Sequence, residues 1–130
     1  MPVFENLEFG KYHGLGNDYV IIDDRSLQIK DEDKKKMAIL LCKVHFSIGA
    51  DGLIFVCNSE KADIRMRIFN NDGSEAEMCG NGIRCFSKYV YEEGIVREKE
   101  MEIETLKGVL TAKLRIENGN YFITEATVSE

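Results

Sequence analysis

The segment Met78-Cys79-Gly80-Asn81-Gly82-Ile83-Arg84-Cys85 joins a thiol, two glycines and the start of an apolar helical stripe. Gly80 and Gly82 each cost a helix start roughly 1 kcal/mol relative to alanine. In return they leave a bare backbone whose unpaired N–H groups can be approached closely. Such a helix start favours a carboxylate or a phosphate. A cysteine at its edge has its thiol pKa lowered, because the helix dipole and free N–H groups stabilise the thiolate. One short stretch could therefore hold a carboxylate and supply a base, Cys79. The competing reading makes Cys79 a small buried hydrophobe before a helix, as free cysteines often are.

The remaining thiols read as structural. Cys85 lies inside the helix beside Phe86, Cys42 ends an earlier helix, and Cys57 ends an apolar strand. No Cys/His spacing suits zinc, and His13 and His45 are far apart, so no metal is expected. Gly14-Leu15-Gly16 resembles the opening of a dinucleotide fingerprint, but Tyr19 holds the third glycine position and no ribose-binding acid follows. Asn70-Asn71-Asp72-Gly73 resembles a calcium loop until Ser74-Glu75-Ala76-Glu77 departs from the pattern, leaving a polar turn. Asn17 and Asn70 are uncharged, multivalent hydrogen-bonding groups of the kind that suit a polar amino-acid ligand.

The elements that must position these residues alternate along the chain. Residues 5–11 and 19–23 read as strands around a glycine-rich turn at 13–18. A helix opens at Asp31, where Asp31, Glu32 and Asp33 suit the dipole, and Met37, Leu40, Leu41 and Val44 repeat at helical spacing. Leu53–Cys57 is a short apolar strand, and Ile64, Met66 and Ile68 alternate with Arg65 and Arg67 as in a half-buried one. The long polar stretch 70–78 leads to a second helix with Ile83, Phe86, Tyr89 and Val90 on one face, ending at Gly94. A meander follows over 101–105, 109–116 and 121–124, with Asn118-Gly119 as a type I′ turn. The sum is a single α+β domain over 1–130, with two main helices and about seven or eight mostly antiparallel strands.

Composition narrows the partners. The 130 residues are 44% hydrophobic and carry a net charge of −6, with no basic surplus to attract a phosphate backbone, so nucleic acid is not expected. The longest apolar runs fall far short of a membrane span, and the N-terminus lacks the pattern of a signal peptide. Four cysteines without a CxxC pair then read as reduced thiols in a cytoplasmic protein.

Four blocks together resemble diaminopimelate epimerase: Lys11-Tyr12-His13-Gly14-Leu15-Gly16-Asn17-Asp18-Tyr19, Gly49-Ala50-Asp51-Gly52, Arg67 to Glu75, and Met78 to Cys85. The resemblance runs in order from residue 8 to residue 125. It implies a half-domain of mostly antiparallel strands curled around a central helix. It also implies an epimerase without cofactor that interconverts LL- and meso-diaminopimelate in lysine biosynthesis through two cysteines, one on each face of the α-carbon. By motif Cys79 is the first of these, Gly80 and Asn81 clamp the α-carboxylate through backbone N–H groups, and Asn17 and Asn70 bind the distal end. The family is built from two similar halves, and this chain matches the first. The second thiol must then come from another half, either a C-terminal polypeptide or the mate in a homodimer, and the chain alone is expected to be inactive. Gly52 stands where some members carry a substrate-touching Gln. The alternatives are a non-catalytic binding or assembly module, and another isomerase of the same fold, of the proline-racemase or phenazine-biosynthesis kind.

Overall fold

The computed structural model describes residues 10–14, 17–42, 50–77 and 80–129. Ten elements follow in order: β1 (Gly10–Gly14), β2 (Asn17–Asp23), α1 (Asp31–Leu41), β3 (Gly52–Cys57), β4 (Ile64–Asn70), β5 (Glu75–Ala76), α2 (Gly80–Glu92), β6 (Glu100–Thr105), β7 (Gly108–Glu117) and β8 (Asn120–Ser129). The strands form one sheet in the order β1-β2-β3-β4-β6-β7-β8, with β5 attached to β4. Pairings β2–β3 and β4–β6 are parallel and the other five antiparallel, so the expected mostly antiparallel character holds.

Strand alternation sorts the core into two layers. Tyr19, Ile21, Ile54, Val56, Ile64, Met66 and Ile68 face one way, onto Ile83, Phe86 and Val90 of α2. Val20, Ile22, Leu53, Phe55 and Phe69 face the other way, onto Met37 and Ala38 of α1. The central strands are apolar on both faces because both are covered by a helix. Met101, Ile103, Leu110 and Ala112 of β6 and β7 join the α2 layer, so the sheet curls around that helix. A register shift between Lys113 and Leu114 marks a bulge in the β7–β8 pair, a device that bends strands.

Several boundaries move from the sequence reading. The first hairpin closes on the pair Gly14 and Asn17, so the strands take in most of the glycine-rich stretch. Glu75–Ala76, read as part of a polar loop, pairs with Phe69 and Ile68. The phase of α1 also shifts. Leu40 is 42% exposed, whereas Lys34 is buried with Met37 and Ala38, because Lys34 finds an acid partner beneath the helix. Val44 lies outside the described residues.

The stop signals act as read. Gly94 follows α2 at φ +70°, and Asn118 and Gly119 both take positive φ, as a type I′ turn requires. Among the described residues no helix is long and apolar enough to cross a membrane.

Candidate functional site

The start of β2, the start of β3 and the end of β4 meet at one end of the sheet. The register sets Tyr19 beside Gly52 and Gly52 beside Asn70. This row lies on the face that carries Ile54 and Ile68, which is the α2 face. Adjacent strands lie about 4.8 Å apart, so Tyr19 and Asn70 are separated by roughly 10 Å across bare Gly52. Asn17 opens β2 two residues before Tyr19, which puts its backbone at the same end of the sheet.

The junction between β2 and β3 is tied by a reciprocal pair of bonds. The Asp51 backbone N–H donates to the Asp18 carbonyl at 2.9 Å, and the Asp18 N–H donates to the Asp51 carboxylate at 2.7 Å. Asp51 was missed as a site-building residue; its only signal was its place in a Gly-Ala-Asp-Gly turn. Tyr19 was missed as well. A Cβ added at Gly52 would lie 3.2 Å from both the Tyr19 ring and the Phe69 carbonyl oxygen. The space next to Gly52 therefore belongs to the tyrosine ring.

Asn70 is exposed where β4 ends. Its backbone N–H donates to the Ser74 carbonyl at 2.8 Å, and its side-chain amide donates to the Ser74 hydroxyl at 3.1 Å. Asp72 accepts from the Ser74 backbone N–H at 2.9 Å and from its hydroxyl at 2.6 Å. These bonds hold the Asp72 carboxyl below the usual carboxylate range. The Asn-Asn-Asp-Gly stretch is thus a self-bonded hairpin turn, with Gly73 at φ +89°.

From β5 the chain needs only residues 77–79 to reach α2. Gly80 is the first helical residue, and it is exposed. Among the described residues outside its own helix turn, nothing lies within 4 Å of a Cβ added there, so no other element covers this point of the backbone. Asn81 is half-buried in the first turn. Cys79 lies outside the described residues, and so does Met78. The structure thus sets Asn70 and the backbone of Asn17 at one end of the sheet, and α2 begins with Gly80 and Asn81 after residues 77–79.

The other thiols are placed as expected. Cys42 and Cys85 are buried and Cys57 is half-buried. Burial pushes the Cys42 and Cys57 thiols up to about 11, which keeps both protonated near neutrality. Among the described residues no three His, Cys, Asp or Glu side chains converge in a way that could hold a metal ion.

Comparison with known proteins adds to this geometry. A family model described as diaminopimelate epimerase matches residues 9–129. The chain is 58% identical over 113 residues to a diaminopimelate epimerase of Methanothermobacter thermautotrophicus, covering 85% of this chain and 40% of that one. It is 56% identical over 113 residues to one from Caldanaerobacter subterraneus, covering 87% and 40%. Against the Bacillus subtilis protein of the same name the identity is 42%, over 96% of this chain and 44% of that one. The chain therefore spans less than half the length of these relatives. Among solved structures, a phenazine biosynthesis protein of the PhzF family from Bacillus anthracis superposes with a TM-score of 0.69 at 28% identity, over 90% of this chain and 38% of its own. A probable proline racemase from Agrobacterium radiobacter gives a TM-score of 0.67 at 16% identity, over 88% and 39%. The latter likeness is one of fold.

Proposed function

Because the chain belongs to the diaminopimelate epimerase family, we propose that it forms one half of a cofactor-independent epimerase site for diaminopimelate. In this reading Cys79 is one of two acid–base thiols. As thiolate it takes the α-proton, so a C–H bond breaks and an S–H bond forms. The electron pair stays on the substrate and spreads into the α-carboxylate. A thiol from the other half then returns a proton to the opposite face, leaving inverted configuration and no change in oxidation state.

The observation that supports this division of labour is the open helix start at Gly80, where no other element among the described residues comes within 4 Å of where a side chain would begin. Backbone N–H groups at Gly80 and Asn81 can meet an α-carboxylate there and stabilise the charge that develops in the transition state. Positioned acid–base groups add about 10²–10⁴-fold. Asn70 and Asn17, at the same end of the sheet, take the distal end of the substrate. Cys85 cannot serve as the second thiol, being buried in α2 at 3% exposure. That thiol comes from a second half, a C-terminal polypeptide or a homodimer mate, and a reducing cytoplasm keeps both thiols free. Relatives at 42–58% identity carry the diaminopimelate name, which favours this substrate over that of another isomerase of the fold.

The test is site-resolved alkylation of Cys79 across pH, followed by exchange of the substrate α-proton in heavy water. Cys79 should titrate below the ordinary thiol value of about 8.5, and Gly80→Val should return it toward that value. Exchange should require the second half, supplied either as an added C-terminal polypeptide or by dimerisation of this chain. A Cys79 that titrates near 8.5 in the unaltered chain would leave a binding or assembly module as the better reading.

A further inference from the structure

We propose that Arg67 is a positioning residue whose guanidinium fastens β5 to α1 and thereby fixes where α2 begins. Arg67 stands in β4 on the α1 face, the side opposite the proposed substrate. Its Nε and Nη2 donate to the two carboxylate oxygens of Glu75, each at 2.9 Å, and its Nη1 donates to Asp31 at 2.7 Å. The guanidinium lies over the Phe69 ring, 5.2 Å from its centre. The Arg67 side chain is only 11% exposed and that of Glu75 20%. This is planar two-pronged recognition, which lysine cannot reproduce.

The arrangement matters because β5 is weak by itself. It has two residues, Glu75 and Ala76, paired to Phe69 and Ile68. So short a ladder needs other support. The Arg67 fork is one source of it. A second is steric: a Cβ added at Gly73 would lie 3.0 Å from the Ile39 side chain of α1, so the β4–β5 turn rests directly on that helix. Ala76 and Gly80 are four residues apart, so the intervening chain spans at most about 14 Å. A slip of β5 would therefore move the point from which this short connection reaches the helix start.

This inference rests on the function proposed above only for its consequence at Cys79. Glu75→Gln and Arg67→Lys each weaken the fork without removing bulk. In either variant, amide hydrogen exchange across residues 76–82 should quicken about tenfold while residues 86–92 keep their protection. Cys79 alkylation at pH 7 should slow several-fold, with Cys42 and Cys57 still unreactive. Exchange that quickens uniformly along α2, β4 and β6 would mean a purely structural ion pair and would overturn the proposal, as would unchanged exchange at 76–82. Local quickening with an ordinary Cys79 titration in the parent chain would uphold the positioning role and sink the catalytic reading. If neither variant folds, Asp31→Asn, which cuts only the outer contact, should still raise exchange at 76–82 about two- to threefold; no rise there refutes the idea.

Discussion

Lys34 and Asp24 face each other at 2.9 Å beneath α1, with side chains only 5% and 3% exposed. The lysine amine also donates to the Ile29 carbonyl at 2.8 Å and lies over the Phe55 ring. Asp24 accepts the Ile29 N–H at 2.8 Å. Removing one partner leaves a buried charge without compensation. Lys34→Met should therefore cost about 3–5 kcal/mol in urea unfolding. Adding Asp24→Leu should recover part of that loss but not all, since the Ile29 N–H then lacks its acceptor, at about 1–3 kcal/mol. Complete recovery in the double variant would show that the polar cluster is dispensable.

Gly52 has ordinary backbone geometry but no room. Gly52→Ala should destabilise by about 1–3 kcal/mol, because one neighbour is a fixed strand carbonyl and the other a buried ring. Thermal unfolding measures it. An unchanged Tm would mean that Tyr19 swings aside freely, and that a longer side chain at this position is tolerated.

Ser87 is fully buried in α2, and its hydroxyl has no hydrogen-bond partner among the described residues. Ser87→Ala removes the unsatisfied group and improves helix propensity. Stability should rise by about 1 kcal/mol. A fall would reveal a partner for the hydroxyl that is lost on substitution.

Acid should weaken the fold through Asp23 and Asp31. Hydrogen bonds from Arg25 and Arg67 hold their carboxyls below the usual range. A lowered folded pKa gives stability that is complete above the unfolded value of about 3.9 and lost as pH falls through the folded value. The loss should begin below about pH 4. Asp31→Asn should flatten this acid limb while costing only about 0.2–1 kcal/mol at pH 7, since Asp31 is two-thirds exposed. A limb of unchanged steepness in the variant would assign the acid sensitivity elsewhere.

What the sequence made legible was local. Ile83, Phe86 and Val90 repeat at helical spacing and are buried together, and Gly94 and Asn118-Gly119 stop their elements through backbone freedom that few residues have. The glycine-flanked start of α2 was legible for the same reason. Features that depend on distant partners were not. Lys34 looks like a solvent-facing charge until Asp24 is placed beneath it. Glu75 looks like loop until Phe69 lies alongside, and the Tyr19 ring claims the space at Gly52 only once β2 and β3 run parallel. Arg67 read as the polar half of an alternating strand; its two acidic partners are 8 and 36 positions away.

The parallel pairing of β4 with β6 joins Ile64 to Ile103 and Arg65 to Glu104. The β4–β5 turn, β5 and all of α2 lie on the loop this pairing closes. During synthesis the loop cannot shut until Ile103 and Glu104 have left the ribosome. A nascent chain halted just past Gly94 would hold α2 and its glycine-flanked start yet lack the pairing that closes this loop, so the loop must await β6, the first strand of the meander.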